Sequence, residues 1–326
     1  MAKVSIVMPV YNAAPFLAES LASALRQTLQ DIEIVCVNDG STDSSLELLR
    51  LYEKKDRRMV VLDQPNGGYG KAMNTGIDHA SGEYIGILEP DDYLYLDMYR
   101  EQYEYAVKYD LDLVKSDFYR FTRDSAGNMR LILQKLSTVP SDYRKVFNSS
   151  EDPYTIRFVM NTWSGIYRRE FLLENHIRHN ETPGASYQDN GFYFQTFAFA
   201  RRGMLLETPG YRYRIDNPGS SIHNPGKVYA MNEEYDYIRR ILESRPGLWE
   251  RFQYAYWRRR YLNYQVTLQR IGGEYKRDFV YHISGEMKNA LSSGEMRKKE
   301  FNKWQWRDIR MLMKKPEEYY HKALLM

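Results

Sequence analysis

Short apolar runs alternate with helical repeats over the first ninety residues. Val4 to Tyr11, Ile32 to Asp39, Met59 to Gln64 and Gly82 to Glu89 are rich in Val, Ile, Leu and Met, the pattern of strands covered on both faces. Between them, Phe16, Leu17, Leu21, Ala24 and Leu25 repeat near the helical period, as do Leu46, Leu48, Leu49 and Leu51 after an N-cap at Ser41, Thr42 or Asp43. Ala72, Met73 and Ile77 follow the turn "NGGYG" and predict a third helix. Strand and helix in this alternation predict βαβ units and a parallel sheet, the α/β class.

Beyond Asp92 the pattern loosens. A helix is predicted through Met98, Tyr103 and Val107, then a strand from Leu111 to Phe118. Residues 123–150 read as irregular with a hairpin turn at "DSAGN", "NTWSGIYRREFLLENH" as a loop and helix, and a further helix begins near Asp189. "GMLLETPGYRYRIDNPGSS" reads as one or two strands, and from Val228 onward the chain is helical in pattern, broken at "SRPG" and "RIGGEY". The expected organisation is a catalytic domain over 1–224 and a helical region over 225–326.

Composition adds three constraints. The 27% charged and 43% hydrophobic residues are those of a globular protein, and no run of about 18 apolar residues exists to span a membrane. The single cysteine, Cys36, sits in an apolar run, so no intrachain disulfide forms and a buried, inert thiol is expected. The net charge of +3 is small, but its distribution is uneven: about +8 from Pro225 onward and about −5 before it. The N-terminal apolar run is broken by Pro9 and reads as a strand rather than a signal peptide, so the expected location is the cytoplasm, including the inner face of the membrane.

"ILEPDDYL" carries the chemistry. Glu89, Asp91 and Asp92 crowd at the end of an apolar strand, and Asp39 ends another. Ligands of open α/β sheets bind beyond the carboxyl ends of the strands, so all four acids open into one crevice. Oxygen ligands with room for phosphate suit Mg²⁺ or Mn²⁺ bridging a carboxylate and a diphosphate. The competing reading is that Asp91 and Asp92 only cap the helix through Met98.

"SIVMPVYN", "VNDGSTD", "NGGYGKAMNTGI" and "YIGILEPDDYL", in that order and spacing, resemble the nucleotide-sugar domain of family-two inverting glycosyltransferases, of GT-A fold, over about residues 3–224. The resemblance implies that the acidic turn is the family's DXD motif, with Glu89 in place of its first Asp. Asp91 then holds the metal, Glu89 the donor, and Asp92 contacts the sugar or orients Asp91. It implies that Pro9 and Tyr11 begin the base pocket and that Asp39 accepts a hydrogen bond from the base, a uracil if the donor is a UDP-sugar. Asn66, Gly67, Gly68 and Gly70 would let the chain approach the nucleotide, with Lys71 near a phosphate; no P-loop or dinucleotide fingerprint is present. Asp189 in "YQDNGFYF" is implied as the catalytic base, with Gln188 where the family commonly carries a Glu; capping of the helix is compatible with that role. Trp163, Ser164 and Gly165 are implied to line the sugar and acceptor side, with a core position for Trp163 the alternative. His223 fits a metal ligand, and Arg212, Arg214, Ser220 and Ser221 fit a loop over the diphosphate.

The expected activity is metal-dependent transfer of a sugar from a nucleoside diphosphate, UDP foremost, to a hydroxyl of a surface or lipid-linked glycan. The alternatives are a catalytically inactive glycan-binding or scaffold protein of the same fold, and a nucleotidyltransferase, which would want a basic glycine-rich loop that "MPVYNAAPF" lacks. The basic aromatic stretches "YAYWRRRYLNYQ" and "RKKEFNKWQWRDIRMLMKK" suit packing or oligomerisation, or the surface of an anionic membrane; no nucleic-acid module is recognised.

Overall fold

The computed structural model describes residues 2–219 and 226–326. The chain divides into two compact units, Met1–Pro218 and Gly219–Met326. The first is built on a sheet in which β1 (Val4–Val10), β2 (Ile32–Asp39), β3 (Met59–Gln64) and β4 (Tyr84–Ile87) lie in the parallel order β3-β2-β1-β4. All seven residues of β1 are buried, because it has a strand on each side and layers on both faces; that is why the run shows no polar alternation. The intervening helices are α1 (Ala14–Leu25), α2 (Ser45–Glu53) and α3 (Tyr69–His79). Asp43 is not the formal N-cap of α2, but its carboxylate accepts from Ser45 N (2.9 Å) and from Ala14 N (3.1 Å), tying α2 to α1.

The remaining strands mix the sheet. After β5 (Tyr93–Leu94) and α4 (Met98–Lys108), β6 (Leu113–Arg123) turns at Asp124 into β7 (Met129–Gln134). β8 (Gly165–Arg168) runs antiparallel between β4 and β6, and α5 (Arg169–Glu174) follows it. α6 (Gln188–Phe199) leads to β9 (Gly203–Arg214), parallel to β6 with an irregularity between Ser116 and Phe118. β7 and β8 differ from the sequence reading. β7 is exposed or half-exposed throughout, so it shows no buried face. β8 has four residues, too few for a period, and packs so closely that a Cβ on Gly165 would lie 2.2 Å from the Val114 carbonyl oxygen.

One seam places α6. Gly68 has φ +88°, and a Cβ there would meet Gly184 N and Thr182 O at 2.8 Å; a Cβ on Gly70 would lie 2.0 Å from Asn180 O. Tyr69 N donates to Gly184 O (3.0 Å), and Asn74 exchanges two bonds with the His179 backbone (2.9 and 3.0 Å). The glycines of "NGGYG" thus let α3 lie directly on the segment leading into α6. Lys115 of β6 is 1% exposed, donating to Asn161 O (2.9 Å) and meeting Tyr167 Oη at 3.1 Å. Burial without a carboxylate pushes its pKa down to about 7.

The second unit comprises α7 (Ala230–Glu243), α8 (Leu248–Arg270), α9 (Gly273–Ser292), α10 (Lys303–Lys314) and α11 (Pro316–Ala323). Its core uses tyrosines: Tyr235, Tyr256, Tyr264 and Tyr319 are fully buried. Their hydroxyls are satisfied internally, Tyr256 on Tyr235 O (3.1 Å), Tyr264 on Glu286 and Tyr319 on Asp308 (2.7 Å). Arg260 is buried among them, paired with Asp236 (2.9 Å) and Glu286.

Gly70→Ala is expected to lower stability by about 1–3 kcal/mol, because backbone must move, while Gly285→Ala in α9, where a Cβ meets nothing within 4 Å, is expected to be neutral or slightly stabilising; thermal denaturation of the two variants checks this. For Lys115, the unfolded chain holds its proton to about pH 10.5 and the native chain only to about 7. The unfolded state therefore binds more protons between those values, and stability rises with pH there. The wild type is expected to gain about 3 kcal/mol from near pH 6 to near pH 9 relative to Lys115→Met, measured by denaturant titration.

Candidate functional site

The crevice lies beyond the carboxyl ends of β1, β2 and β4. Pro9 is buried in β1 opposite Val37, and Tyr11, just past the strand, is 52% exposed. Asp39 ends β2 and is buried. Its Oδ1 accepts from Gln64 Nε2 (2.8 Å) and Gly67 N (2.9 Å), and its Oδ2 from Gly68 N (2.9 Å). A carboxylate offers about four lone pairs, so Asp39 builds the glycine turn and keeps acceptor capacity on Oδ2. Asn66 is exposed, and Lys71, with a side chain 52% exposed, sits 3.5 Å from Glu181. The close approach afforded by Gly68 and Gly70 is to residues 180–184 of the chain itself.

The acidic turn follows β4. Glu89 N donates to Tyr211 Oη (3.0 Å), and Glu89 Oε1 accepts from Tyr69 Oη (2.8 Å). Burial raises the Glu89 pKa to about 8; the Tyr69 bond opposes this, and the charges of Asp91 and Asp189 reinforce it. Asp92 is 1% exposed, its oxygens taken by Arg214 N (2.6 Å) and Tyr211 Oη (2.9 Å). Burial first, then Asp91, holds its pKa well above the usual carboxylate range. Asp92 therefore fixes the turn. Asp91 is half-buried, with Oδ2 accepting from Asn217 Nδ2 (2.8 Å). Neither Asp91 nor Asp92 caps α4, whose N-cap is Asp97.

Arg214 departs from its expected place over the diphosphate. Its guanidinium is buried between the rings of Phe16 and Phe121 (4.8 and 4.6 Å), with Nε on Asp91 O (2.8 Å) and Nη2 on Glu19 (2.9 Å). It clamps the acidic turn from behind. Arg212 instead lies among the rings of Tyr93, Tyr95 and Tyr119.

Asp189 stands in the first turn of α6, with Oδ1 accepting from Asn190 Nδ2 (3.1 Å). Its charge reaches Glu89, Tyr69 and Tyr213. Tyr213 lies near both groups. Burial lifts its pKa to about 12, followed by Asp92, Asp91, Asp189 and Glu89 together. The acidic turn and the α6 carboxylate are thus close enough to act on one buried hydroxyl. Gln188, buried beside Asp189, donates to Thr182 Oγ1 (2.9 Å) and Gly184 O (3.2 Å) and accepts from Ser186 N. An amide can make both kinds of bond and a carboxylate cannot, so this residue holds the loop that presents Asp189.

Trp163 is 9% exposed, stacked on Tyr211 (4.3 Å) and Tyr213 (5.1 Å) and edge-on to Phe118 (4.6 Å). It forms the aromatic floor beneath the acids, the core alternative, rather than an open platform. Gly165 lies inside the sheet and Ser164 Oγ donates to Asn161 Oδ1 (2.7 Å), so neither opens a path for a sugar. Ser220, Ser221 and His223 lie outside the described residues. Tyr69, Tyr211 and Tyr213 escaped assignment from sequence, although the alternation in "YRYR" already puts Tyr211 and Tyr213 on one strand face. Among the described residues no three His, Cys, Asp or Glu side chains gather closely enough to hold a metal by themselves. The carboxylates of Asp91 and Asp189 are nonetheless hard oxygen donors of the kind a divalent ion takes when phosphates supply the other ligands.

The model for glycosyl transferase family 2 matches residues 5–206. The chain is 37% identical over 71% of its length to EpsJ of Bacillus subtilis, described as an uncharacterized glycosyltransferase, and that match spans 65% of the relative. It is 31% identical over 74% of its length to the glycosyltransferase GlyG of Streptococcus pneumoniae, 77% of which is covered. Among solved structures, S. aureus TarS 1–349 in complex with UDP-GlcNAc superposes with a TM-score of 0.73 at 16% identity, covering 98% of this chain and 90% of that one. Mannosyltransferase PcManGT of Pyrobaculum calidifontis in complex with GDP-Man and Mn²⁺ gives 0.54 at 14%, covering 99% and 86%. The sheet order and crevice are thus those of the GT-A fold, and the chain belongs to glycosyl transferase family 2.

Proposed function

We propose that this glycosyltransferase moves a sugar from a nucleoside diphosphate, a UDP-sugar foremost, to a hydroxyl of a surface or lipid-linked glycan, with inversion at the anomeric carbon. The observation that carries the reading is that Asp189, on α6, lies near enough to Glu89 and Asp91 of the acidic turn for all three charges to act on Tyr213. One-step inversion needs a base on the side of the sugar opposite the leaving group, and a carboxylate carried on a separate element from the acidic turn suits that need. The TarS complexes with UDP-GlcNAc and UDP favour a uridine donor.

In this reading residues 1–224 form the donor-binding catalytic domain, on the cytoplasmic side of the membrane. Tyr11 stacks on the base, Oδ2 of Asp39 accepts its N–H, and Lys71 and Asn66 border the phosphates. Asp91 is the protein ligand of a Mn²⁺ or Mg²⁺ ion, with Glu89 toward the donor; His223 is a candidate second ligand. When bound, the cation supplies charge that stabilises the departing diphosphate. The carboxylate of Asp189 takes the proton of the acceptor hydroxyl as its oxygen bonds to the anomeric carbon and the carbon–oxygen bond to the diphosphate breaks. Tyr69 keeps Glu89 oriented, and Arg214 with Asp92 keeps Asp91 at the rim.

Asp189→Asn is expected to cut turnover by about 10²–10⁴ and to leave UDP binding intact; steady-state assay of nucleotide release beside calorimetric UDP binding tests this, and normal turnover would refute the base assignment. UDP is expected to raise the melting temperature much more with Mn²⁺ than without, and Asp91→Asn to abolish the Mn²⁺-dependent part. A thermal-shift screen with UDP, GDP and both metals decides the nucleotide at the same time.

A further inference from the structure

α10 spends its apolar side on the core of its own unit, where Ile309, Leu312 and Met313 are buried. Its other side carries Lys303, Arg307, Arg310 and Lys314, all exposed and spaced as one helical stripe, with Trp304 beside Lys303 and 73% exposed. Lys298 and Lys299 are exposed on the 3-10 turn just before it. Among the described residues, no carboxylate pairs with any of these six cations, whereas the neighbouring Arg297, Lys315 and Lys322 are paired with Glu300, Glu318 and Asp308. The stripe is preformed. Asn302 and Gln305 close a capping box at its start (2.9 and 3.1 Å), and Tyr319 and Lys322 of α11 hold Asp308 on the next turns.

We propose that the outer face of α10, with the turn before it, docks the protein on an anionic lipid bilayer. Six uncompensated cations on a rigid element match the negative charge of acidic headgroups. An indole standing among lysines and arginines is suited to the headgroup level, where its ring is apolar and its N–H wet. A second copy of the chain is a poor occupant, since like charges would face each other. The helix lies on the surface rather than inserting, because its apolar side is already covered. This rests on the location proposed above and extends it, naming the surface that holds the enzyme near a lipid-linked acceptor.

The test is cosedimentation of the full chain with phosphatidylcholine vesicles, with and without phosphatidylglycerol, over a salt series. Binding is expected only with phosphatidylglycerol and is expected to weaken as salt rises. Each cation removed is expected to reduce partitioning about fivefold, so Lys303→Glu/Arg307→Glu/Arg310→Glu should lose at least about 100-fold. Trp304→Ala should lose several-fold with the salt dependence kept. Unchanged melting temperatures show that the variants are folded, as expected for exposed positions. The proposal is overturned if wild type binds pure phosphatidylcholine equally well, or if the triple variant binds like wild type. It is also overturned if wild type ignores vesicles while binding soluble polyphosphate, or forms a dimer that Trp304→Ala dissolves. UDP binding with Mn²⁺ is measured on the same samples, so failure of the donor reading registers separately from failure of docking.

Discussion

Carboxyl groups gathered where they are poorly solvated are the constraint on which the acidic turn depends. Glu89 is met by a tyrosine hydroxyl and by the fields of Asp91 and Asp189. Such an arrangement is unfavourable by itself, and burial adds to the cost. It persists because the surrounding structure fixes it: β4 and β9 hold the turn through Tyr211 and Arg214, and α3 holds Glu89 through Tyr69. In the proposed function, a positive charge arriving with substrate would relieve it, since a departing diphosphate calls for charge compensation at that place.

The same side chains serve position before they serve chemistry. Asp39 builds the glycine turn, Asp92 fixes the acidic turn, and Gln188 braces the loop into α6. Because α3 lies on residues 180–184 without room for a Cβ, the segment leading into α6 is placed by backbone packing rather than by flexible side chains. Rigid support of this kind is what a base needs to stay within reach of a hydroxyl.

Much of this was legible in the sequence. The strands Ile32–Asp39 and Met59–Gln64 and the start of α6 agree with the pattern because uniform apolar runs between glycine-rich turns have few other readings. The acids at the strand ends were visible because ligands of open sheets bind there, and Asp189 stood out only through the family resemblance. What was hidden depends on partners far along the chain. Arg214 reads as a phosphate ligand until Asp92, 122 residues earlier, is seen to hold its backbone. Trp163 reads as a sugar platform until Tyr211 and Tyr213 are stacked on it. Tyr69 lay inside a glycine turn and looked incidental. Strands as short as β5 and β8 carry no period to detect.

The account's central claim is that a divalent cation relieves the crowding around Glu89. With its pKa pushed up to about 8, Glu89 is mostly protonated at neutral pH. Calorimetric titration of Mn²⁺ into the UDP-saturated protein near pH 7, repeated in buffers of different ionisation enthalpy, counts the protons displaced. The account predicts release of about one proton per Mn²⁺ bound, because a cation held nearby by Asp91 and the diphosphate favours the charged form of Glu89, and none from Glu89→Gln. Binding without proton release in the wild type, or equal release from Glu89→Gln, would contradict it.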